Sequence, residues 1–99
     1  MDYRIIWSPE ALKHLEQLVR FIFHDNPTAA VKLGNAIIEK ALLLSNFPRM
    51  GRIFREARRD TLREISVLPY RIFYEIKDAE KQIEIVSIWH GARQEPELR

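Results

Sequence analysis

A chain of 99 residues, 46% of them hydrophobic and only three of them glycine, has the size and apolar content of one compact domain covering residues 1–99. The absence of cysteine excludes a disulfide framework and a thiolate metal site, and no apolar run approaches the roughly 20 residues that a membrane span needs. We therefore expect a soluble, cytoplasmic protein with no membrane partner. The net charge of +2 says little about partners by itself.

Basic charge is concentrated in one segment of the chain. Residues 49–63 carry a net charge of +4, whereas all other residues together carry −2. Six arginines account for it: Arg49, Arg52, Arg55, Arg58, Arg59 and Arg63. Arginine suits bidentate contact with phosphate or carboxylate. The segment is therefore either a solvated loop or a docking surface for an acidic partner or nucleic acid.

The first half of the chain has the pattern of one strand and two helices. Residues 3–7 (YRIIW) favour a short strand, and Ser8-Pro9 combines a helix N-cap with a favoured first helical residue. Apolar residues at three- and four-residue spacing then predict an amphipathic helix. Asn26-Pro27 repeats the start signal, and the second helix is predicted to run to about Phe47. Gly34 in its middle indicates a close crossing of the two helices.

The second half has the alternating pattern of strands. We expect strands over residues 61–68, 70–77 and 83–90, the last two joined by a polar turn. Simple alternation places Ile83, Ile85, Ser87 and Trp89 on one face of the last strand. The element order β-α-α-β-β-β predicts an α+β domain, in which a helical hairpin packs on one face of a mostly antiparallel four-stranded sheet. The other face is expected to be exposed.

Few residues point to chemistry. No standard catalytic motif is present, and His14, His24 and His90 are not at metal-ligand spacing, so we expect neither a metal nor a cofactor. A surface position on a helix explains His14. His90 ends the last strand three residues before Arg93, where its ring is either an acid or base near pH 7 or a structural group. Arg71 and Arg93 are candidates for anion contact, with Glu64 a possible ion-pair partner of Arg71.

Short motifs spread over about 90 residues occur in an order and at a spacing that match a known protein superfamily. They are Ser8-Pro9-Glu10-Ala11, Phe47-Pro48 with Gly51-Arg52, Arg63-Glu64-Ile65, Tyr70-Arg71-Ile72 with Tyr74, and Ile88-Trp89-His90-Gly91-Ala92-Arg93. With these motifs the chain resembles the RelE/ParE superfamily of type II toxin–antitoxin toxins. The resemblance implies a small toxin that is neutralised by an antitoxin. Within the superfamily, toxins have one of two activities. RelE-like members cleave messenger RNA on the ribosome, and ParE-like members poison DNA gyrase.

The resemblance favours the ParE branch. RelE-like enzymes use lysines and arginines on the sheet and, often, a C-terminal tyrosine. Arg71 and Arg93 match two of those arginines, but Leu62 and Glu64 stand where the paired lysines align, and residues 94–99 contain no tyrosine. The Arg63-Glu64 pair and the ending from Trp89 to Arg93 look more like ParE.

We therefore expect a growth-inhibiting toxin of the plasmid stabilisation type that acts on DNA gyrase. The residues expected to bind the target or an acidic antitoxin are Arg49, Arg52, Arg55, Arg58, Arg59, Arg63, Glu64 and Trp89. One alternative is a ribosome-dependent mRNA endonuclease with Arg71, His90 and Arg93 as catalytic candidates. The other is a non-toxic, antitoxin-binding subunit. A homodimer and a hetero-oligomer with the antitoxin both remain open.

Overall fold

A computed structural model describes residues 2–91; residues 92–99, which include Arg93, lie outside the described part. The elements, in chain order, are β1 (Arg4–Trp7), α1 (Pro9–Asp25), α2 (Pro27–Leu43), β2 (Arg52–Ile53), a 3-10 helix (Arg55–Ala57), β3 (Leu62–Val67), β4 (Tyr70–Lys77) and β5 (Gln82–His90). The predicted α+β architecture, with the helical hairpin on one face of the sheet, is confirmed. Within residues 2–91 the sheet has five strands rather than four, because Arg52–Ile53 adds a short strand beside β3. Within the same range, neither helix is long and apolar enough to cross a membrane.

The strand order is β1-β5-β4-β3-β2. Strand β1 runs parallel to β5, and the other neighbouring strands are antiparallel. The hairpin of β4 and β5 therefore lies in the middle of the sheet. This position explains why both strands carry apolar residues on both of their sides.

Both helices begin where the capping signals predicted. The Ser8 side chain accepts the N–H of Ala11 and the Asn26 side chain accepts that of Ala29, each at 3.0 Å. Helix α2 ends at Leu43 instead of continuing to about Phe47. The turn that follows is held to β1, because the Ser45 hydroxyl donates to the Tyr3 carbonyl at 2.7 Å and the Tyr3 N–H donates to the Ser45 carbonyl at 2.9 Å.

The main core lies between the helices and the sheet. It combines Ala11, Ile37, Ala41 and Leu44 with Ile65, Ile72, Tyr74, Ile76, Ile83, Ile85 and Ile88. The close helix crossing predicted at Gly34 is confirmed, since a Cβ atom there would lie 3.3 Å from a methyl carbon of Val19. Small residues at the contact let the helices approach each other and still reach the sheet.

The sheet face away from the helices, which we call the second face, is not simply exposed as predicted. Phe54, Leu62 and Phe73 form a second buried cluster there. The Phe54 and Phe73 rings meet edge to face, with their centroids 4.9 Å apart. The chain after α2 passes through β2 and then folds back over this face, so that the 3-10 helix covers part of it.

A β-bulge in β5 changes which side chains share a face. Phe73 pairs with Ser87 and Tyr74 pairs with Ile85, so Val86 is an extra residue. Beyond the bulge, Ile88 joins Ile83 and Ile85 in the main core, and Trp89 pairs with Arg71. The predicted alternation of the last strand is therefore wrong after Ile85.

Candidate interaction site on the second face

A buried carboxylate is the centre of the polar part of the second face. Glu64 lies on β3 with only 5% of its surface exposed. Its two oxygens accept from Arg71, through Nε at 2.9 Å and Nη2 at 3.0 Å, and Arg52 approaches Oε1 at 3.4 Å. The Arg71 guanidinium also lies over the Phe73 ring, 5.1 Å from its centroid. The pairing of Glu64 with Arg71 proposed from the sequence is confirmed; we call Glu64, Arg71 and Arg52 the Glu64 cluster.

The balance of burial and charge keeps Glu64 ionised. Burial by itself raises the pKa of a carboxyl group, because it disfavours the charged form. The hydrogen bonds and positive charge of Arg71, together with the charge of Arg52, outweigh this burial and hold the pKa of Glu64 below its usual value. The carboxylate therefore compensates the charge of Arg71 on this face at neutral pH.

Three arginines of the basic segment hold the segment against the rest of the fold. Arg49 forms an ion pair with Asp78 at 2.6 Å, and Arg59 forms one with Glu75 at 3.0 Å. Arg63 donates to the backbone carbonyl of Gly51 at 2.8 Å. These contacts explain half of the arginines as structural residues.

The other three arginines are arranged differently. The Arg52 side chain is 77% exposed, and its one contact, with Glu64, is long. Arg55 and Arg58 are exposed, and within residues 2–91 their side chains make neither a hydrogen bond nor an ion pair. We call Arg52, Arg55 and Arg58 the arginine ridge.

The catalytic candidates are not brought together on one face. His90 pairs with Tyr70, and their rings meet edge to face at 5.3 Å between centroids. Tyr70 packs against the main core on the helix side, whereas Arg71 points to the second face with Phe73. His90 and Arg71 therefore lie on opposite sides of the sheet, and Arg93 lies outside the described residues.

His14 has a structural role that the sequence did not predict, because a surface position on a helix was enough to explain it. Strand β1 ends beside Ile85, so the following part of β5 has an open edge. The Ser8 hydroxyl donates to the Val86 carbonyl at 3.1 Å, and the Ile88 N–H donates to Nδ1 of His14 at 3.2 Å. Two side chains of α1 and its cap thus satisfy the edge where the neighbouring strand stops. The sequence contains no local signal for this long-range contact.

Solved structures of toxins share this fold. The chain aligns with the chromosomal ParDE toxin–antitoxin system of P. aeruginosa with a TM-score of 0.72 and 20% identity, covering 89% of this chain and 95% of that one. It aligns with the RelBE2 toxin–antitoxin complex of Mycobacterium tuberculosis at 0.66 and 23% identity, covering 91% and 99%. A mutant of the E. coli toxin RelE in the free state gives 0.68 and 16%, covering 93% and 86%. The fold is therefore that of the RelE/ParE superfamily.

Sequence comparison shows to which family of this superfamily the chain belongs. The family model described as "ParE toxin of type II toxin-antitoxin system, parDE" matches residues 5–95. The Sinorhizobium fredii (strain NBRC 101917 / NGR234) protein named Putative toxin Y4kP is 30% identical over 97 residues, which cover 96% of this chain and 95% of that protein. The chain belongs to the ParE toxin family of type II toxin–antitoxin systems.

Proposed function

We propose that this toxin arrests growth by inhibiting DNA gyrase in the cytoplasm, as part of a plasmid-stabilisation module, and that a cognate antitoxin neutralises it. Membership of the ParE family supports this target. The observation that carries the proposal is the Glu64 cluster, in which a buried carboxylate engages the guanidinium of Arg71 through both of its oxygens.

The Glu64 cluster is poorly suited to the chemistry of RNA cleavage. Attack of a 2′-hydroxyl on phosphorus needs a base, an acid and cationic groups that stabilise the charge of the transition state. The charge of Arg71 is compensated by Glu64, and a phosphate placed beside this carboxylate would be repelled by it. His90 lies on the other side of the sheet from Arg71. These features support a non-catalytic inhibitor over a ribosome-dependent endonuclease.

A direct assay of the target tests this proposal. Purified toxin added to gyrase and relaxed plasmid is expected to block supercoiling or to trap the complex of gyrase with cleaved DNA. Addition of the antitoxin is expected to restore supercoiling. Toxin added to translating ribosomes is expected to leave the message intact.

Two results would contradict the proposal. Ribosome-dependent cleavage of a message that Arg71→Ala abolishes, with gyrase unaffected, would support the endonuclease. Normal growth during strong expression without an antitoxin would instead indicate a non-toxic, antitoxin-binding subunit.

The antitoxin needs an apolar surface, and the helical hairpin provides one. Six large apolar side chains of α1 and α2 are 41–56% exposed: Leu12, Phe23, Val31, Ile38, Leu42 and Leu43. On α1, Leu12 and Phe23 are eleven residues apart, as are Val31 and Leu42 on α2, which places each pair on one side of its helix. Val19 and Gly34 meet between them. We assign this outer helical face to the antitoxin, because an exposed apolar patch of this kind is typical of a protein interface.

A further inference from the structure

Two of the three arginines of the ridge, Arg55 and Arg58, make no contribution to the stability of the fold that the described contacts reveal, and Arg52 makes one long contact, with Glu64. Arg49, Arg59 and Arg63 are held by Asp78, by Glu75 and by backbone carbonyls. In contrast, Arg55 and Arg58 make no side-chain contact of this kind within residues 2–91, and Arg52 is 77% exposed. The ridge therefore presents to a partner two guanidinium groups that are unpaired within residues 2–91, and a third, Arg52, that is mostly exposed.

The backbone that carries the ridge is anchored to the second buried cluster. Phe54, which precedes the 3-10 helix, is 1% exposed and packs on Phe73. Its N–H donates to the Leu62 carbonyl at 2.9 Å, and Ala57 packs against the same cluster. Arg55 is the first residue of the 3-10 helix and Arg58 follows its last residue, so the two arginines are one helical turn apart along the chain. The geometry is set before any partner binds.

The backbone at Arg58 ends the 3-10 helix. Its φ is 60°, in the left-handed region that is common where a helix stops. The Arg58 N–H donates to the Arg55 carbonyl at 3.1 Å, which places Arg58 beside the turn that carries Arg55.

The carboxylates near the ridge do not cancel it. Glu64 is engaged by Arg71 through both of its oxygens and, among the arginines of the ridge, pairs only with Arg52 within residues 2–91. Glu56 and Asp60 are exposed and, within residues 2–91, form no ion pair with the arginines of the ridge, and residues 49–63 carry a net charge of +4 with both carboxylates counted. A groove of about 420 Å³ beside the ridge is lined by Arg52, Arg55 and Arg63 together with Glu56 and Glu64. The ridge itself therefore remains an electropositive strip.

We propose that the arginine ridge binds the phosphodiester backbone of double-stranded DNA, an inference that rests on the proposed function because gyrase carries DNA. The surroundings of the ridge favour DNA over a folded protein partner. Met50, which is 41% exposed, lines a groove with Arg52, but between Met50 and Leu68 the described chain has no exposed large apolar side chain. A protein interface needs an apolar centre, whereas contact with phosphates needs only well-placed cations. The toxin thus holds its target through the DNA as well as through the enzyme.

The salt dependence of DNA binding, measured without gyrase, tests the ridge. Fluorescence anisotropy with a labelled duplex of arbitrary sequence is expected to show weak binding whose affinity falls with salt. The variant R52Q/R55Q/R58Q is expected to weaken binding at low salt by about tenfold or more and to reduce the logarithmic salt slope by about 3.

Two control variants separate a local effect from a general one. The variant K13Q/R20Q/K32Q removes the same charge from exposed positions on the helices and is expected to bind DNA nearly as well as the unmodified toxin. The variant R55Q/R58Q does not touch the Glu64 cluster and is expected to reduce the logarithmic salt slope by about 2, which is two thirds of the change expected for the triple variant. Circular dichroism and thermal melting check that each variant is folded.

Three outcomes would overturn the inference. The ridge variant could bind DNA as well as the unmodified toxin. The helix variant could lose as much affinity as the ridge variant. A poly-glutamate peptide of the same charge as the duplex could bind the ridge at least as tightly as DNA, which would indicate an acidic protein partner.

The gyrase assay distinguishes this inference from the proposed function. If the toxin inhibits supercoiling but its weak DNA binding is unchanged in the ridge variant, the inference fails and the function stands. If DNA binding depends on the ridge but gyrase is unaffected by the toxin, the ridge is a DNA-binding surface and the proposed target fails.

Discussion

Glu64 shows how one side chain changes what a surface can do. The second face carries arginine at position 71, a residue type that binds phosphate well, but a buried carboxylate on the neighbouring strand takes up its donors. A buried ion pair contributes little net stability relative to apolar residues, yet removal of one partner leaves the other charge uncompensated. Glu64 is therefore a residue whose loss affects both the fold and the electrostatics of this face.

The substitution Glu64→Gln is expected to lower the free energy of unfolding at pH 7 by about 3 kcal/mol, because it removes the buried negative charge that Arg71 and Arg52 contact. The folded-state pKa of Glu64 is lowered, so its contribution is present above the unfolded-state pKa and is lost as the pH falls through the folded-state value. The difference between the two proteins should therefore shrink from about pH 5 downwards. Urea denaturation at several pH values measures both effects.

An exposed glutamate is the matched control for this substitution. Glu16 pairs with Arg20 on the surface of α1 at 3.5 Å, with 67% of its side chain exposed. Glu16→Gln is expected to change stability by less than about 0.5 kcal/mol. An equal effect of the two substitutions would show that Arg71 does not depend on Glu64.

At the scale of elements, the segment between α2 and β3 is organised by Tyr74. Its hydroxyl donates to the Pro48 carbonyl at 2.8 Å and accepts the Gly51 N–H at 3.0 Å. Arg63 donates to the carbonyl of the same glycine at 2.8 Å. Pro48, Gly51, Arg63 and Tyr74 all belong to the motifs by which the chain resembles its superfamily. These motif residues therefore join β2, β3 and β4 to the end of the helical hairpin.

Gly51 allows this approach because it has no side chain. A Cβ atom there would lie 2.6 Å from the Glu64 carbonyl oxygen and 2.6 Å from the Tyr74 hydroxyl. Gly51→Ala is therefore expected to cost about 3 kcal/mol of stability, since backbone and a buried ring would have to move. Chemical denaturation of the variant measures the loss.

Gly34→Ala is the comparison for that measurement. A Cβ atom at Gly34 would lie 3.3 Å from one Val19 methyl carbon, and the helix propensity gained from alanine offsets this tight contact. Its effect should stay within about 1 kcal/mol. A smaller loss for Gly51→Ala than for Gly34→Ala would refute the account of the Tyr74 contacts.

At the scale of the whole molecule, the apolar and basic surfaces are separate. The outer helical face carries exposed apolar residues. The arginine ridge lies on the edge strand β2, on the 3-10 helix and on the residue that follows this helix. This separation lets an antitoxin and a target use different parts of one small domain. Substitutions can therefore remove the contact with the antitoxin and the contact with the target independently.

The double variant Val31→Ser/Leu42→Ser tests the apolar surface. Both side chains are more than half exposed, at 53% and 56%, so the fold should be retained. Loss of their apolar contacts is expected to weaken antitoxin binding by about tenfold or more, because each buried side chain of this size contributes roughly 1.5–3 kcal/mol when it is fully covered. Calorimetric titration of the antitoxin measures this, and inhibition of supercoiling by the free variant should persist.

Leu68→Ser provides the control, since Leu68 is 86% exposed on the turn between β3 and β4. It is expected to leave antitoxin affinity unchanged. If this control weakens the complex as much as the double variant does, the antitoxin does not dock on the outer helical face.

The sequence by itself determined the features that depend on neighbouring residues. Ser8-Pro9 and Asn26-Pro27 start helices through contacts three residues away, and alternation predicts β3, β4 and the first half of β5. The order of the motifs also identified the superfamily, and the prediction of two successive strands led to the expected pairing of Glu64 with Arg71. Each of these signals is local in the chain, or is a pattern of residue types at a known spacing.

Only the tertiary structure decided the rest. The bulge at Val86 reverses the faces of the residues after it, and no residue type in this stretch marks the extra position. The contact of His14 with Ile88 depends on a partner far away in the chain. The same holds for the ion pairs and hydrogen bonds that set Arg49, Arg59 and Arg63 apart from the other three arginines of the segment. A side chain's function depends on which groups meet it in space, and that is set by the packing of the whole domain.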